Sequence, residues 1–367
     1  MSSVEANLNS KSRFTIRTVK RAELPKNKVI LLRFAALFLA LLAGAVFILL
    51  IGNNPIDVYI MMVKGALRSK LAITGTIKIM IPLLITALGI TLAFKMKFWN
   101  IGGEGQILMG AVFSSYFGIF HGDWPHIILI PVMFLAGMLG GGLMGLLPAY
   151  FKAKYNTNET LFTLMLNYIV LNFVVFLREG PWADPTSKGY KKFALFTENG
   201  KLVKVLGVHS GWIIAVILLL LVFIYLKYTK HGYEIDVVGE SSATASYAGM
   251  NVKKIILRTM FISGAICGIA GMIEVSGNAG TMSDGITRGV GFTAIIVAWL
   301  AGLKPWSILI ISALFSIMEK GSSVVESTFG LSEACADVLQ GIILFFVIGC
   351  EFFIRYKFTT TKKGGTN

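Results

Sequence analysis

The side chains that could do chemistry are concentrated in the run Trp99–Gln106, where three glycines and the polar residues Asn100, Glu104 and Gln106 interrupt two apolar blocks. A glycine-rich run can cradle a phosphate. Here, however, the glycine spacing is not that of a dinucleotide fingerprint, and no strand precedes it. Two readings remain. The segment is an unwound stretch that turns its polar groups toward a cavity, or it is an ordinary turn with Glu104 in water. Polar groups at membrane depth are costly against lipid and mark a pathway or an internal partner. Asn158 and Glu159 open a later apolar block, where an asparagine N-cap and a first-turn carboxylate suit a helix start. Asn167, in the middle of that block, needs a partner, and Glu274 in another block poses the same question.

Other chemistries find no support in the residue pattern. The four histidines, His121, His126, His209 and His231, lie near predicted loops without zinc-site spacing. No Gly-x-x-x-x-Gly-Lys-Ser/Thr loop occurs, so the expectation is no catalytic residue, no metal and no bound cofactor, with any ATP hydrolysis supplied by a partner. Cys267, Cys335 and Cys350 sit in or beside apolar segments and read as small buried hydrophobes.

The elements that carry these residues follow from composition. Of 367 residues, 55% are hydrophobic and only 14% charged, with a mean hydropathy of +0.73. A soluble domain carries roughly 25% charged residues. The apolar residues also form blocks close to the roughly 20 residues a bilayer span needs. Ten crossings are expected, at 30–51, 71–94, 107–120, 127–149, 161–177, 212–226, 259–275, 290–303, 306–318 and 334–354. The segments 107–120 and 290–303 are short enough to be broken or re-entrant. Residues 56–69 read as an amphipathic stretch at the outer surface.

The net charge of +15 reflects topology, and no nucleic-acid partner is expected. With the N-terminus inside, 21 of the 34 basic residues fall on the cytoplasmic side and 11 outside, which supports cytoplasmic termini. The layout is then a basic N-terminal segment 1–29, a transmembrane domain 30–355 and a tail 356–367. An outside loop covers 178–210 and an inside loop covers 227–258. Gly137, Gly141 and Gly145, and again Gly264 and Gly268, recur every four residues, a spacing that lets helix backbones approach closely in lipid.

At four stretches the chain resembles a known family. Asn100–Ala111, Asn158–Ile169, Gly239–Met250 and Gly291–Ala298 are similar to segments of the permeases of bacterial ABC importers for nucleosides and simple sugars, within the wider ribose and branched-chain amino acid permease family. The likeness covers about residues 30–355, and the first two stretches are the more specific to that branch. In the inside loop, Val238, Gly239, Ala245, Tyr247, Ala248 and Gly249 match the family pattern. Ser241 and Ser242 stand where Asn-Pro is typical, and Thr244 replaces an alanine.

The resemblance implies an all-α polytopic bundle of the type II ABC importer kind in a bacterial plasma membrane. It implies a translocation path involving Asn100, Glu104, Gln106, Asn158, Glu159 and Asn167. It also implies a coupling helix at Gly239, Ala245, Tyr247, Ala248 and Gly249 that seats in an ATPase subunit using ATP and Mg. Further partners would be a second permease, the same chain or a different one, and an extracytoplasmic solute-binding protein. Nucleosides come first as solute and simple sugars second, with Trp99, Tyr116 and Tyr168 available to stack on a base. The rival readings are an ion-coupled secondary transporter using Glu104 and Glu274, and a membrane-embedded enzyme.

Overall fold

The computed structural model describes residues 14–20, 25–330 and 334–362. The rest of the expected segment 1–29 and of the tail 356–367 lies outside the described residues. After β1 (Phe14–Lys20) come α1 (Lys26–Leu50), α2 (Pro55–Leu67), α3 (Lys70–Lys95), α4 (Gly103–Phe120), α5 (His126–Tyr155) and α6 (Glu159–Glu179). A loop with a 3₁₀ turn at Glu198–Gly200 and the short strands β2 (Lys204–Val205) and β3 (Val208–His209) leads to α7 (Gly211–Tyr228). Next are α8 (Lys230–Glu240), α9 (Ser242–Tyr247) and α10 (Val252–Ile273), which runs on into a π-helical turn, Glu274–Ala279. The chain closes with α11 (Val290–Leu300), α12 (Pro305–Phe329), α13 (Ala334–Arg355) and β4 (Tyr356–Lys362).

Each apolar segment expected to cross coincides with a helix. Among the described residues, six helices are long and apolar enough to span a bilayer alone: α3, α5, α6, α7, α10 with its π turn, and α12. The expected total of ten is not reached on that measure. The segment placed at 107–120 begins four residues earlier, at Gly103. By contrast α11, with 11 residues, extends only about 16 Å and cannot cross by itself. The stretch 56–69 forms α2.

The chain divides into two compact units. In the first, Met1–Val58 with Ala334–Asn367, α1 packs on α13 and β1 pairs antiparallel with β4, Phe14 opposite Lys362 and Lys20 opposite Tyr356. The second unit, Tyr59–Glu333, is built around α10, which packs on α3, α4 and α5. Glycines make these approaches possible. A Cβ on Gly268 would fall well inside van der Waals contact of the Gly137 carbonyl oxygen, and one on Gly264 would do the same at that of Gly141. The four-residue glycine spacing therefore serves packing within one chain. The α3 residues Ile81–Phe94 are all buried, which makes α3 an interior helix rather than a lipid-facing one.

Candidate functional site

The break between α3 and α4 is densely hydrogen-bonded. Beyond Lys95 the chain reverses through Lys97, whose φ of 57° is left-handed, and it descends through Trp99–Gly102 before α4 starts. Every polar side chain in the run is committed. Asn100 donates from Nδ2 to Gln106 Oε1 at 3.2 Å, and Gln106 Nε2 donates back to Asn100 Oδ1 at 3.3 Å. Asn100 Oδ1 also accepts the Gly102 N–H at 2.9 Å. Both residues are fully buried.

From α6, Asn167 accepts the Gly105 N–H at 2.9 Å and donates to the Ile101 carbonyl at 2.9 Å, while Thr163 Oγ1 accepts the Ile101 N–H at 3.1 Å. Buried backbone groups outside a helix must find partners. The two amides of Asn100 and Asn167 and the Thr163 hydroxyl supply them.

Glu104 reaches the other way. Its carboxylate accepts the Gly291 N–H at 2.7 Å, the Gly289 N–H at 3.2 Å and the Thr287 hydroxyl. Those donors surround the start of α11, whose first N–H groups have no intrahelical acceptor. Glu104 therefore caps a helix other than its own, with charge and dipole in favourable sense.

Two expectations are corrected here. Asn100, Gln106 and Asn167 do not line an open cavity, because each is turned inward onto backbone or onto another amide. Nor is Glu104 in water. At the start of α6, Asn158 accepts the N–H groups of Thr160 and Leu161 at 3.1 and 3.2 Å, a plain N-cap, and Glu159 pairs with Lys152 at 3.0 Å. Thr163, Thr287 and Gly289 were missed as partners. The glycine-rich run 285–291 was the only signal for the last two.

An open cavity lies instead at the start of α5, where His126 lines it. Its volume is about 720 Å³, and Lys78, Glu198, Lys201, Lys204 and Asn278 line it. The π turn shapes its floor: Asn278 Nδ2 donates to Glu274 Oε2 at 3.0 Å and to the Lys78 carbonyl at 3.4 Å. Beside it His209 is 1% exposed, with its ring between Gly211 and Gly277. Burial first, and then the charge of Lys78, push this imidazole down to about 4, against a smaller upward pull from Asn278.

The loop 227–258 separates into two roles. Gly239 and Ala245 are buried, and a Cβ on Gly239 would strike the Lys95 carbonyl at the end of α3. Both hold the loop onto its own chain and are not available as contact surface. Tyr247 is 93% exposed, and Ser246, Ala248 and Gly249 are exposed with it. Ser241 Oγ caps α9 by accepting the Thr244 N–H at 3.2 Å, and Gly249, at φ 78°, ends it. Glu234 anchors α8 through Arg258 at 2.8 Å, which holds its carboxyl below the usual glutamate range.

A bundle in which six helices among the described residues are long and apolar enough to cross a membrane is the architecture of a polytopic membrane protein. The chain belongs to the family described as branched-chain amino acid transport system / permease component, whose model matches residues 72–348. It is 32% identical to the nucleoside ABC transporter permease protein NupB of Lactococcus lactis, over 92% of this chain and 95% of that one. It is 29% identical to the guanosine ABC transporter permease protein NupP of Bacillus subtilis, over 92% and 98%. Identity to the glucose ABC transporter permease protein TsgB13 of Haloferax volcanii is 28%, over 87% of each chain.

Proposed function

We propose that this chain is the membrane-spanning permease of an ABC importer whose solute is a nucleoside. The observation that carries the solute class is the near full-length similarity to two permeases named for nucleosides and guanosine, one of them at 32% identity. The glucose permease relative makes a simple sugar the second reading. The exposed end of α9, with Ser246, Tyr247, Ala248 and Gly249, is the surface offered to a partner ATPase that uses ATP and Mg. Pairing of β1 with β4 supports placing both termini on one side, and the basic-residue distribution supports calling that side cytoplasmic. About ten crossings then follow, with α11 and the coil before it as a discontinuous span. A second permease subunit completes the pathway, and an extracytoplasmic binding protein delivers solute near the 720 Å³ cavity and the loop 178–210.

Transport of this kind needs no covalent step. The permeases alternate between outward and inward openings as the ATPases bind and hydrolyse ATP, and the exposed helix transmits the movement. Proteoliposomes holding the chain with its cognate permease, ATPase and binding protein test the reading directly. ATP-dependent uptake of labelled nucleoside is expected. Uptake that ignores ATP and follows an imposed Na⁺ or proton gradient would replace the importer with a secondary transporter.

A further inference from the structure

Arg288 stands out because of its depth. Its neighbour Thr287 is bonded to Glu104, and the next α4 residue, Gly105, is bonded to Asn167. Asn167 lies eight residues into α6, about 12 Å from the helix start and about 18 Å from its end. Arg288 therefore sits near mid-depth of a helix that spans the bilayer. It is exposed, and among the described residues its side chain forms no hydrogen bond or ion pair, although its charge acts on Glu274; its backbone N–H donates to the Gly285 carbonyl at 3.3 Å.

It is also carried on coil, since no helix covers the stretch between the π turn and α11. Irregular backbone and a bare guanidinium are tolerated at that depth only where they meet water or protein. The same face continues down α11. Residues 292, 295 and 299 recur at helical spacing below Arg288, Phe292 is 42% exposed, and Trp299 stacks on Trp99 with ring centroids 5.4 Å apart and planes 17° apart. Phe94 wedges against both indoles at 5.7 Å. Trp99 is held by the bonded turn after α3 and is still 46% exposed.

We propose that the coil 283–289 and this face of α11 form the wall along which the solute passes, with Arg288 contacting solute hydroxyl and carbonyl groups and Trp99 stacking on a planar ring at the inner end. This deepens the import reading and rests on it. A cation at one end of α11 and a fixed indole at the other, about 16 Å along the helix, can be met in turn by a solute that joins a planar base to a hydroxylated ring, and the indole offers less to a plain hexose. Glu104 already fills the positive end of α11, so the wall offers no capped-helix site for an anionic group.

The experiment uses the assembled complex in proteoliposomes. A wild-type complex that imports neither nucleoside nor hexose refutes the import reading itself, and one that imports hexose alone refutes the solute class. With nucleoside import established, Arg288→Cys is made in a Cys335→Ser, Cys350→Ser background and treated with a charged, water-soluble thiol reagent. Labelling is expected in the assembled complex, slowed about fivefold or more by turnover with nucleoside-loaded binding protein, as occlusion of a pathway residue requires. Labelling of the isolated chain but not of the complex would assign Arg288 to the permease interface and overturn the proposal. Labelling that turnover leaves unchanged would overturn it too. Separately, Trp99→Ala should raise KM for nucleoside about tenfold, the size of one lost base–aromatic stack, with Trp99→Phe restoring most of it. An equal effect on a hexose, or none on nucleoside, would remove Trp99 from solute contact.

Discussion

Glu104 caps α11 from the first turn of α4, accepting the Gly291 N–H at 2.7 Å across 187 positions of sequence. Two helix starts that could each leave donors orphaned in the membrane are thereby joined by one carboxylate. The contact is close: a Cβ on Gly291 would collide with the backbone of Glu104. Glycine is needed at 291 for this approach, and any larger residue would push the cap away.

Removing the cap should therefore damage the fold before it damages any chemistry. Glu104→Ala leaves the Gly289 and Gly291 N–H groups and the Thr287 hydroxyl without their acceptor, at a cost of about 1–3 kcal/mol per buried unsatisfied group. We expect a lower unfolding temperature for the purified complex and a matching fall in uptake, with Glu104→Gln recovering part of both. Unchanged thermal stability in Glu104→Ala, with uptake lost, would return Glu104 to a role in the pathway.

The helix seam makes a second expectation. Gly268→Ala places a methyl group on the Gly137 carbonyl and should cost about 1–3 kcal/mol through overpacking. Gly341→Ala is the control, because a Cβ there meets nothing within 4 Å. The check is the yield of monodisperse complex after extraction in detergent. Equal yields for the two variants would mean that α5 and α10 can separate at little cost.

A third concerns pH. His209 ionises near 4 in the folded chain and near 6.5 when unfolded. A depressed value means that the native state refuses a proton which the unfolded chain accepts. Stability is thus full above about pH 6.5 and falls as pH drops toward 4, by up to about 3 kcal/mol. His209→Gln should flatten the curve over that window in thermal unfolding scans. A variant with the wild-type slope would assign the acid sensitivity to other groups.

The loop 227–258 offers the fourth. Tyr247→Ala removes an exposed ring and should weaken co-purification of the ATPase while leaving the unfolding temperature unchanged. Ala245→Trp should lower the unfolding temperature as well as co-purification, because Ala245 is fully buried in its own chain. If Tyr247→Ala retains full ATPase stimulation, α9 is not the coupling surface.

Read as a string, the chain already carried its class. Apolar blocks at bilayer length, and basic residues gathered at their ends, are one-dimensional quantities set by the cost of burying charge and of leaving backbone unpaired in lipid. Local rules also placed the Asn158 cap and the glycine stop at 249, because both act within a few residues of themselves.

What the tertiary structure decided is where the polar residues point. For Asn100, Glu104 and Gln106 the sequence leaves open a polar cavity or a turn with Glu104 in water, and for Asn167 a neighbouring helix or a polar path. Their partners come from positions as distant as 163 and 291, brought into reach only when α4, α6 and the coil before α11 pack together. The same holds for Ala245 and Tyr247. They are two residues apart in sequence, and only packing against the rest of the chain buries one and exposes the other. Hydrogen bonds and close contacts are satisfied within about 3 Å in space, a distance that the spacing of residues along a chain does not encode.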